Sequence, residues 1–155
     1  MFSRILVPID GSKPSDKAIM IAVDIAMQNN SYIEILHVSQ TPEIVPSSST
    51  DINEVPTRSS IRYKMVQDYY SYSLKKSKEM LQIKLEMVKK ISPELEIDAK
   101  LLPGNPGEEI IKRSKEGKFD LIVMGSSGLG LRRYLLGSVS TRVVNESKIP
   151  VLIIK

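Results

Sequence analysis

Apolar residues along this chain follow two rhythms, and each change of rhythm marks a change of element. Arg4-Ile5-Leu6-Val7-Pro8-Ile9 is an almost unbroken apolar run rich in branched side chains, the pattern of a strand covered on both faces. Asp10-Gly11-Ser12 breaks it. Ser12 or Ser15 can then cap a helix whose apolar residues Ala18, Ile21, Ala22, Ile25 and Ala26 fall three and four apart. Asn29-Asn30 ends that helix, and Tyr32 to Val38 is a second strand of the same kind. From about Ile61 to Ile91 the period is helical again, with Val66, Tyr70, Leu74, Leu81, Leu85 and Val88 on one stripe. Leu74, Leu81 and Val88 repeat every seven residues, but a coiled coil needs more sustained heptads, so the pattern describes a helix packed on a sheet.

Ile97 to Leu102 alternates and makes a third strand. Asn105 at a cap, Pro106 at the first helical position and Glu108 three after the cap predict a helix start, and Gly117 stops it. Phe119 to Met124 is a fourth strand. After a glycine-rich stretch, Ser138 to Ser147 is a short helix, and Val151 to Ile154 closes as a fifth strand. Strands alternating with helices need crossover connections, which are right-handed and place helices on both faces of a parallel sheet. The expected fold class is therefore α/β, a single doubly wound five-stranded parallel sheet. At 155 residues the chain suits one domain, spanning 1–155. Residues 39–60 are the compositional outlier. Serine, threonine and proline dominate there, no periodicity survives, and a mobile loop is expected.

Composition narrows the class. A hydrophobic share of 41% and a charged share of 26% are those of an ordinary globular protein. Cysteine is absent, which excludes disulfides and thiolate metal sites and suits a reducing compartment. Apolar runs such as Val151-Leu152-Ile153-Ile154 fall far short of the roughly 20 residues of a membrane helix. The opening residues carry no long apolar run behind a basic leader, so no signal peptide is expected and a cytoplasmic location is. The net charge of +4 is mildly basic. Lys75, Lys76, Lys78, Lys84, Lys89 and Lys90 are scattered among polar positions of the 61–91 helix and read as a solvated face. There is no zinc-finger spacing or RNA-binding aromatic motif, so nucleic acid is not an expected partner. A basic surface would still help to attract a polyphosphate.

In an open parallel sheet, ligands sit outside the carboxyl ends of the strands, where the strand order reverses. Candidate chemistry is thus confined to Asp10-Gly11-Ser12, Val38-Ser39, Pro103-Gly104 and the stretch from Gly125 to Ser140. In that last stretch, glycines let the backbone approach an anion, and the first N–H groups of the following helix point toward it. Ser126, Ser138 and Ser140 add hydroxyl donors. The bland alternative is that Gly125 and Gly128 merely turn the chain. No lysine follows a final glycine as in a P-loop, and the glycines do not follow the first strand as in a dinucleotide fingerprint. His37, the one histidine, would end a strand beside the one that ends in Asp10, so a Ser-His-Asp set with Ser126 or Ser138 is imaginable. There is no G-x-S-x-G elbow, and strand filler is the duller reading. No metal site is expected from the protein's own side chains, and no catalytic residue is assigned. Arg132 and Arg133 either meet phosphate oxygens or are solvated.

At these motifs the chain resembles the universal stress protein family, whose fourth strand is followed by G-x2-G-x9-G-[ST]. Gly125, Gly128 and Gly137-Ser138 match that motif, followed by Val139-Ser140, except that Leu129 to Leu136 is one residue shorter than the family spacing. Ile5-Leu6-Val7-Pro8-Ile9-Asp10-Gly11-Ser12, Leu36-His37-Val38, Gly104-Asn105-Pro106 and Ile149-Pro150-Val151-Leu152-Ile153-Ile154 resemble other family segments in the right order. The resemblance implies a sheet ordered 3-2-1-4-5 and adenine nucleotide binding, ATP or AMP, with any magnesium or manganese held largely by phosphates and water. Carried over by position, Pro8 and Asp10 would lie beside base and ribose, and Val38 would offer its backbone to the adenine. Met124, Gly125, Gly128, Gly137, Ser138, Val139 and Ser140 would surround ribose and phosphates. The resemblance also implies a homodimer through strand 151–154. The expected function is a nucleotide-binding stress-response regulator with slow or no turnover. The alternatives are a slow ATPase or nucleotide hydrolase, and a ligand-free dimeric interaction module.

Overall fold

The computed structural model describes residues 2–41, 61–126 and 136–155. The loop expected at 39–60 lies outside these residues from position 42 onward, as do Gly128, Arg132 and Arg133. The elements are β1 (Arg4–Pro8), α1 (Lys13–Asn29), β2 (Tyr32–Ser39), α2 (Ile61–Ile91), β3 (Ile97–Pro103), α3 (Pro106–Glu116), β4 (Leu121–Gly125), α4 (Ser138–Glu146) and β5 (Val151–Ile154). The strands form one five-stranded sheet in the order β3-β2-β1-β4-β5, with every neighbouring pair parallel. Ser39, expected in the loop, instead ends β2 opposite Pro103, and its carbonyl accepts from Gly104 N–H at 3.0 Å.

The period of two in the strands divides the core into two layers. Ile5 and Val7 of β1, Ile33 and Ile35 of β2, and Leu121 and Val123 of β4 face α1 and α2, meeting Ala18, Ile19, Ala22, Leu81 and Val88. Leu6, Leu36, Val38, Ile122 and Met124 face the other way, toward Ile110 and Ile111 of α3 and Val143 of α4. A strand with both faces covered must be apolar at nearly every position, which is why β1 and β4 read as continuous runs.

Local signals act as read. Ser12 caps α1, its Oγ accepting from Ser15 N–H at 3.4 Å, and Asn30 closes that helix in the left-handed region at φ 52°. Asn105 caps α3, with Oδ1 accepting from Glu108 N–H at 3.3 Å, and Gly117 is its C-cap. The buried face of α1 departs from the expected one at Ile21, while Ile25 packs against the core. Ser15, Ala18, Ile19, Ala22, Val23 and Ala26 are buried, whereas Ile21 is 39% exposed. Residues 18–23 are all apolar, so periodicity there suits either face. Packing of the start of α1 against the end of β4 chooses between them.

Candidate functional site

The reversal of strand order falls between β1 and β4, and a cleft of about 910 Å3 opens at their carboxyl ends. Four local arrangements build it. After β1, Gly11 takes φ 81°, a left-handed conformation open to glycine, and turns the chain into α1. Asp10 Oδ1 accepts from Ser12 N–H at 2.9 Å, which fixes the carboxylate at the mouth, where the residue is exposed.

At the end of β4, a Cβ on Gly125 would stand 3.0 Å from the backbone carbon of Pro14 and 3.0 Å from Ser15 N. Glycine here lets α1 begin directly against the strand end. Gly125 therefore does not turn the chain; it pairs with Ile154 of β5 as the last residue of β4. The chain then leaves at Ser126 and returns at Gly137, whose N–H donates to the Ser126 carbonyl at 2.8 Å. Ser140 Oγ donates to that same carbonyl at 2.6 Å and lies 3.1 Å from the Gly137 carbonyl. The hydroxyl of Ser140 is thus committed to closing the base of the glycine-rich stretch, and Ser138, exposed at the first turn of α4, is the one open to the cleft.

Gly137 caps α4 with φ −66° and ψ 165°, an ordinary extended conformation, and supplies no side-chain cap bond. Its value is absence of bulk at a helix mouth whose first N–H groups face outward.

The fourth arrangement concerns Val38. The Leu36 carbonyl accepts from Ile9 N–H toward β1, while the Ser39 carbonyl accepts from Gly104 toward β3. Backbone groups alternate sides along a strand, so those of Val38 face the β1 side, beyond the last residue of β1. That is a ready donor–acceptor edge. His37 Nδ1 lies 2.8 Å from the Ile9 carbonyl, so this nitrogen carries the proton and is occupied by backbone. The imagined triad would have Asp10 in that place.

Pro8, Asp10, Val38, Met124, Gly125, Gly137, Ser138, Val139 and Ser140 all line this one cleft; Gly128 lies outside the described residues. The described lining also includes Ser39, Asn105 and Pro106, named in the sequence motifs without a binding role, and Gln40 and Thr41 with Tyr69, Tyr70 and Ser73 from α2, which motif reading missed. Tyr70 was legible as part of the helical stripe. Only the length of α2 relative to the strands could have suggested that the stripe runs on past the sheet. The one charged side chain in the described lining is that of Asp10, and no described lysine or arginine lines the cleft. No group of three or more histidine, cysteine, aspartate or glutamate residues that could hold a metal occurs among the described residues. No helix among them is long and apolar enough to cross a membrane.

Comparison with known proteins agrees with this geometry. The family model described as "Universal stress protein family" matches residues 1–155. The chain is 38% identical over 160 residues to universal stress protein YxiE of Bacillus subtilis, covering 100% of each. Its fold matches the universal stress protein UspA of Lactobacillus plantarum with a TM-score of 0.80 at 21% identity, covering 99% of this chain and 97% of that one. A universal stress protein solved in complex with cAMP matches with a TM-score of 0.66 at 26% identity, covering 99% of this chain and 97% of that one. With a strand order, a switch-point cleft and a full-length match all in agreement, this chain belongs to the universal stress protein family.

Proposed function

We propose that this protein is a nucleotide-binding regulator that holds an adenine nucleotide, AMP or ATP, in the switch-point cleft and turns it over slowly or not at all. One observation carries the reading: the bare glycine mouth of α4 and the outward backbone edge of Val38 open into one cleft at the carboxyl ends of β1 and β4. An anion suits the first site and a heteroaromatic base suits the second. The cAMP complex of a relative supports the same ligand class. Slow turnover is in keeping with His37, whose Nδ1 bonds the Ile9 carbonyl and not a carboxylate. Dimerisation through β5, an edge strand of the sheet, completes the reading.

Mass spectrometry of gently purified protein should find a co-purified adenine nucleotide. Calorimetry with AMP and ATP should show binding, and ligand at about a hundred times its dissociation constant should add roughly 2.7 kcal/mol to unfolding stability. Gly137→Val places a branched side chain at the mouth of α4 in a backbone conformation valine adopts without strain, and should weaken both ligands. A wild-type protein that binds neither AMP nor ATP refutes the reading. A Gly137→Val variant of undiminished affinity removes α4 from it.

A further inference from the structure

α2 is longer than the sheet on which it packs. Its 31 residues span roughly 46 Å, whereas the 8 residues of β2 reach roughly 26 Å. The sulfur of Met80 lies 3.0 Å from where a Cβ on Gly11 would stand, so the helix passes the end of β1 at about Met80. Residues 61–79 therefore lie past the end of β1, with Tyr69, Tyr70 and Ser73 reaching the cleft. The core-facing stripe does not stop at that level. It runs from Val88, fully buried, through buried Leu81 and Ser77, to half-buried Leu74, Ser73 and Tyr70. Leu81 and Val88 rest on the sheet and α1, whereas Tyr70 and Ser73 line the cleft, together with Tyr69. The helix shares a core with Ile33 and Ile35 of β2 and Ile97 of β3, so its overhang borders the Val38 end of the cleft, across from the mouth of α4.

We propose that Tyr70 is a ligand-binding residue of this cleft, a platform on which the base of the nucleotide stacks, with Tyr69 at the rim and Ser73 beside it. The inference rests on the nucleotide reading above and deepens it, by assigning to α2 the flat heteroaromatic part of the ligand. A tyrosine ring on a helix is well suited to this. It presents a large planar surface, loses little conformational freedom on binding, and stacks on any base face. Tyr70 is half-buried and so held in place, whereas Tyr69 is 71% exposed and can only flank the opening.

The chain has six tyrosines and no tryptophan, so its near-ultraviolet emission reports tyrosine directly. AMP and ribose 5-phosphate, which lacks the base, are titrated by calorimetry into the wild type and into Tyr70→Phe, Tyr70→Leu and Tyr72→Leu. Tyr72 is 60% exposed on the same helix and does not line the cleft, which makes it the control. AMP should quench part of the wild-type emission. Tyr70→Phe should keep AMP affinity with diminished quenching. Tyr70→Leu should weaken AMP roughly tenfold, the scale of one base–aromatic stack, and leave ribose 5-phosphate unchanged. Tyr72→Leu should match the wild type. Tyr70→Leu with wild-type AMP affinity overturns the stacking role and leaves the nucleotide reading standing. Equal loss of both ligands in that variant also overturns it, by showing that Tyr70 only supports the fold of the cleft. Wild-type protein that binds neither ligand overturns the nucleotide reading and this inference with it. Should Tyr70→Leu fail to fold, the loss or persistence of quenching in Tyr70→Phe decides alone.

Discussion

A carboxylate in the middle of a buried strand has to be paired, and Glu34 between Ile33 and Ile35 is such a case, its side chain 3% exposed. It lies on the α3 face of β2, and Arg113 of α3 grips it with both prongs, Nε to Oε1 at 2.6 Å and Nη2 to Oε2. That hydrogen bonding holds the Arg113 guanidinium above its ordinary pKa. Removing one partner strands the other. Glu34→Ala should therefore cost about 3 kcal/mol or more in denaturant unfolding, and Glu34→Leu with Arg113→Leu should recover most of it. A double variant as unstable as the single one would show that the pair adds stability beyond its own desolvation. Tyr32 stands at the edge of this cluster, under the Arg4 guanidinium at 4.4 Å from its ring centre, with its hydroxyl donating to Asp98 Oδ2 at 3.2 Å. Burial first, then the negative charges of Glu34 and Asp98, push its pKa from 10.0 up to about 12. The fold thus favours the protonated ring. The resulting stability is complete below the unfolded pKa of 10.0 and is lost as pH rises through about 12. Spectroscopic titration should find one late tyrosinate that is missing from Tyr32→Phe, and the decline in stability over that window should be shallower in the variant.

At the scale of elements, the end of β4 and the start of α1 constrain each other. A methyl group on Gly125 would meet the backbone of Pro14 and Ser15 at 3.0 Å, and neither atom is the tip of a flexible side chain. Gly125→Ala should therefore destabilise the protein without any ligand, by about 1–3 kcal/mol, the usual cost of overpacking. Thermal unfolding of nucleotide-free protein checks this. A variant as stable as the wild type but weaker for nucleotide would mean that Gly125 serves the ligand and not the helix. The contrast with Gly137 is instructive, because both glycines sit in one motif. Gly137 has an ordinary φ of −66°, so its substitution should act on binding more than on folding.

The whole molecule leaves β5 at one edge of the sheet, with Leu152 37% exposed and Val151, Ile153 and Ile154 half-buried. An apolar edge strand invites pairing with another chain. Ile122 N–H donates to the Pro150 carbonyl and Ser126 N–H to the Ile154 carbonyl. By alternation, residues 150, 152 and 154 face β4, and the backbone of Val151 and Ile153 faces outward. Antiparallel pairing with β5 of a second copy would satisfy those groups and close as a two-fold dimer. Ile153→Pro removes an outward donor and spares the ladder to β4, so it should shift a dimer toward monomer or aggregate while the circular dichroism is retained. Leu152→Pro, which removes an inward donor, should damage the fold itself. Sedimentation of the wild type as a stable monomer at micromolar concentration would refute this pairing.

Element type was legible because it follows from local chemistry. Strands covered on both faces must be apolar throughout, and Ser12, Asn30, Asn105 and Gly117 punctuate helices with groups that lie within a few residues of their partners. The alternation of strand and helix made a parallel sheet with crossovers the natural outcome, and Gly125, Gly137 and Ser138 of the glycine motif line the cleft at the switch point. Other features depended on distances between elements that no local pattern encodes. The face of α1 was settled by backbone contact with Gly125, the hydroxyl of Ser140 by the return of the chain to Ser126, and the partner of Glu34 by α3 lying across β2. The place of Tyr70 in the cleft depends on how far α2 outruns the strands. Sequence by itself determined the elements and the end of the sheet at which a ligand would sit, because those are questions of period and topology. Tertiary structure decided which side chains are committed to the fold and which remain open to a ligand, because a hydrogen bond or a steric contact exists only once distant segments meet.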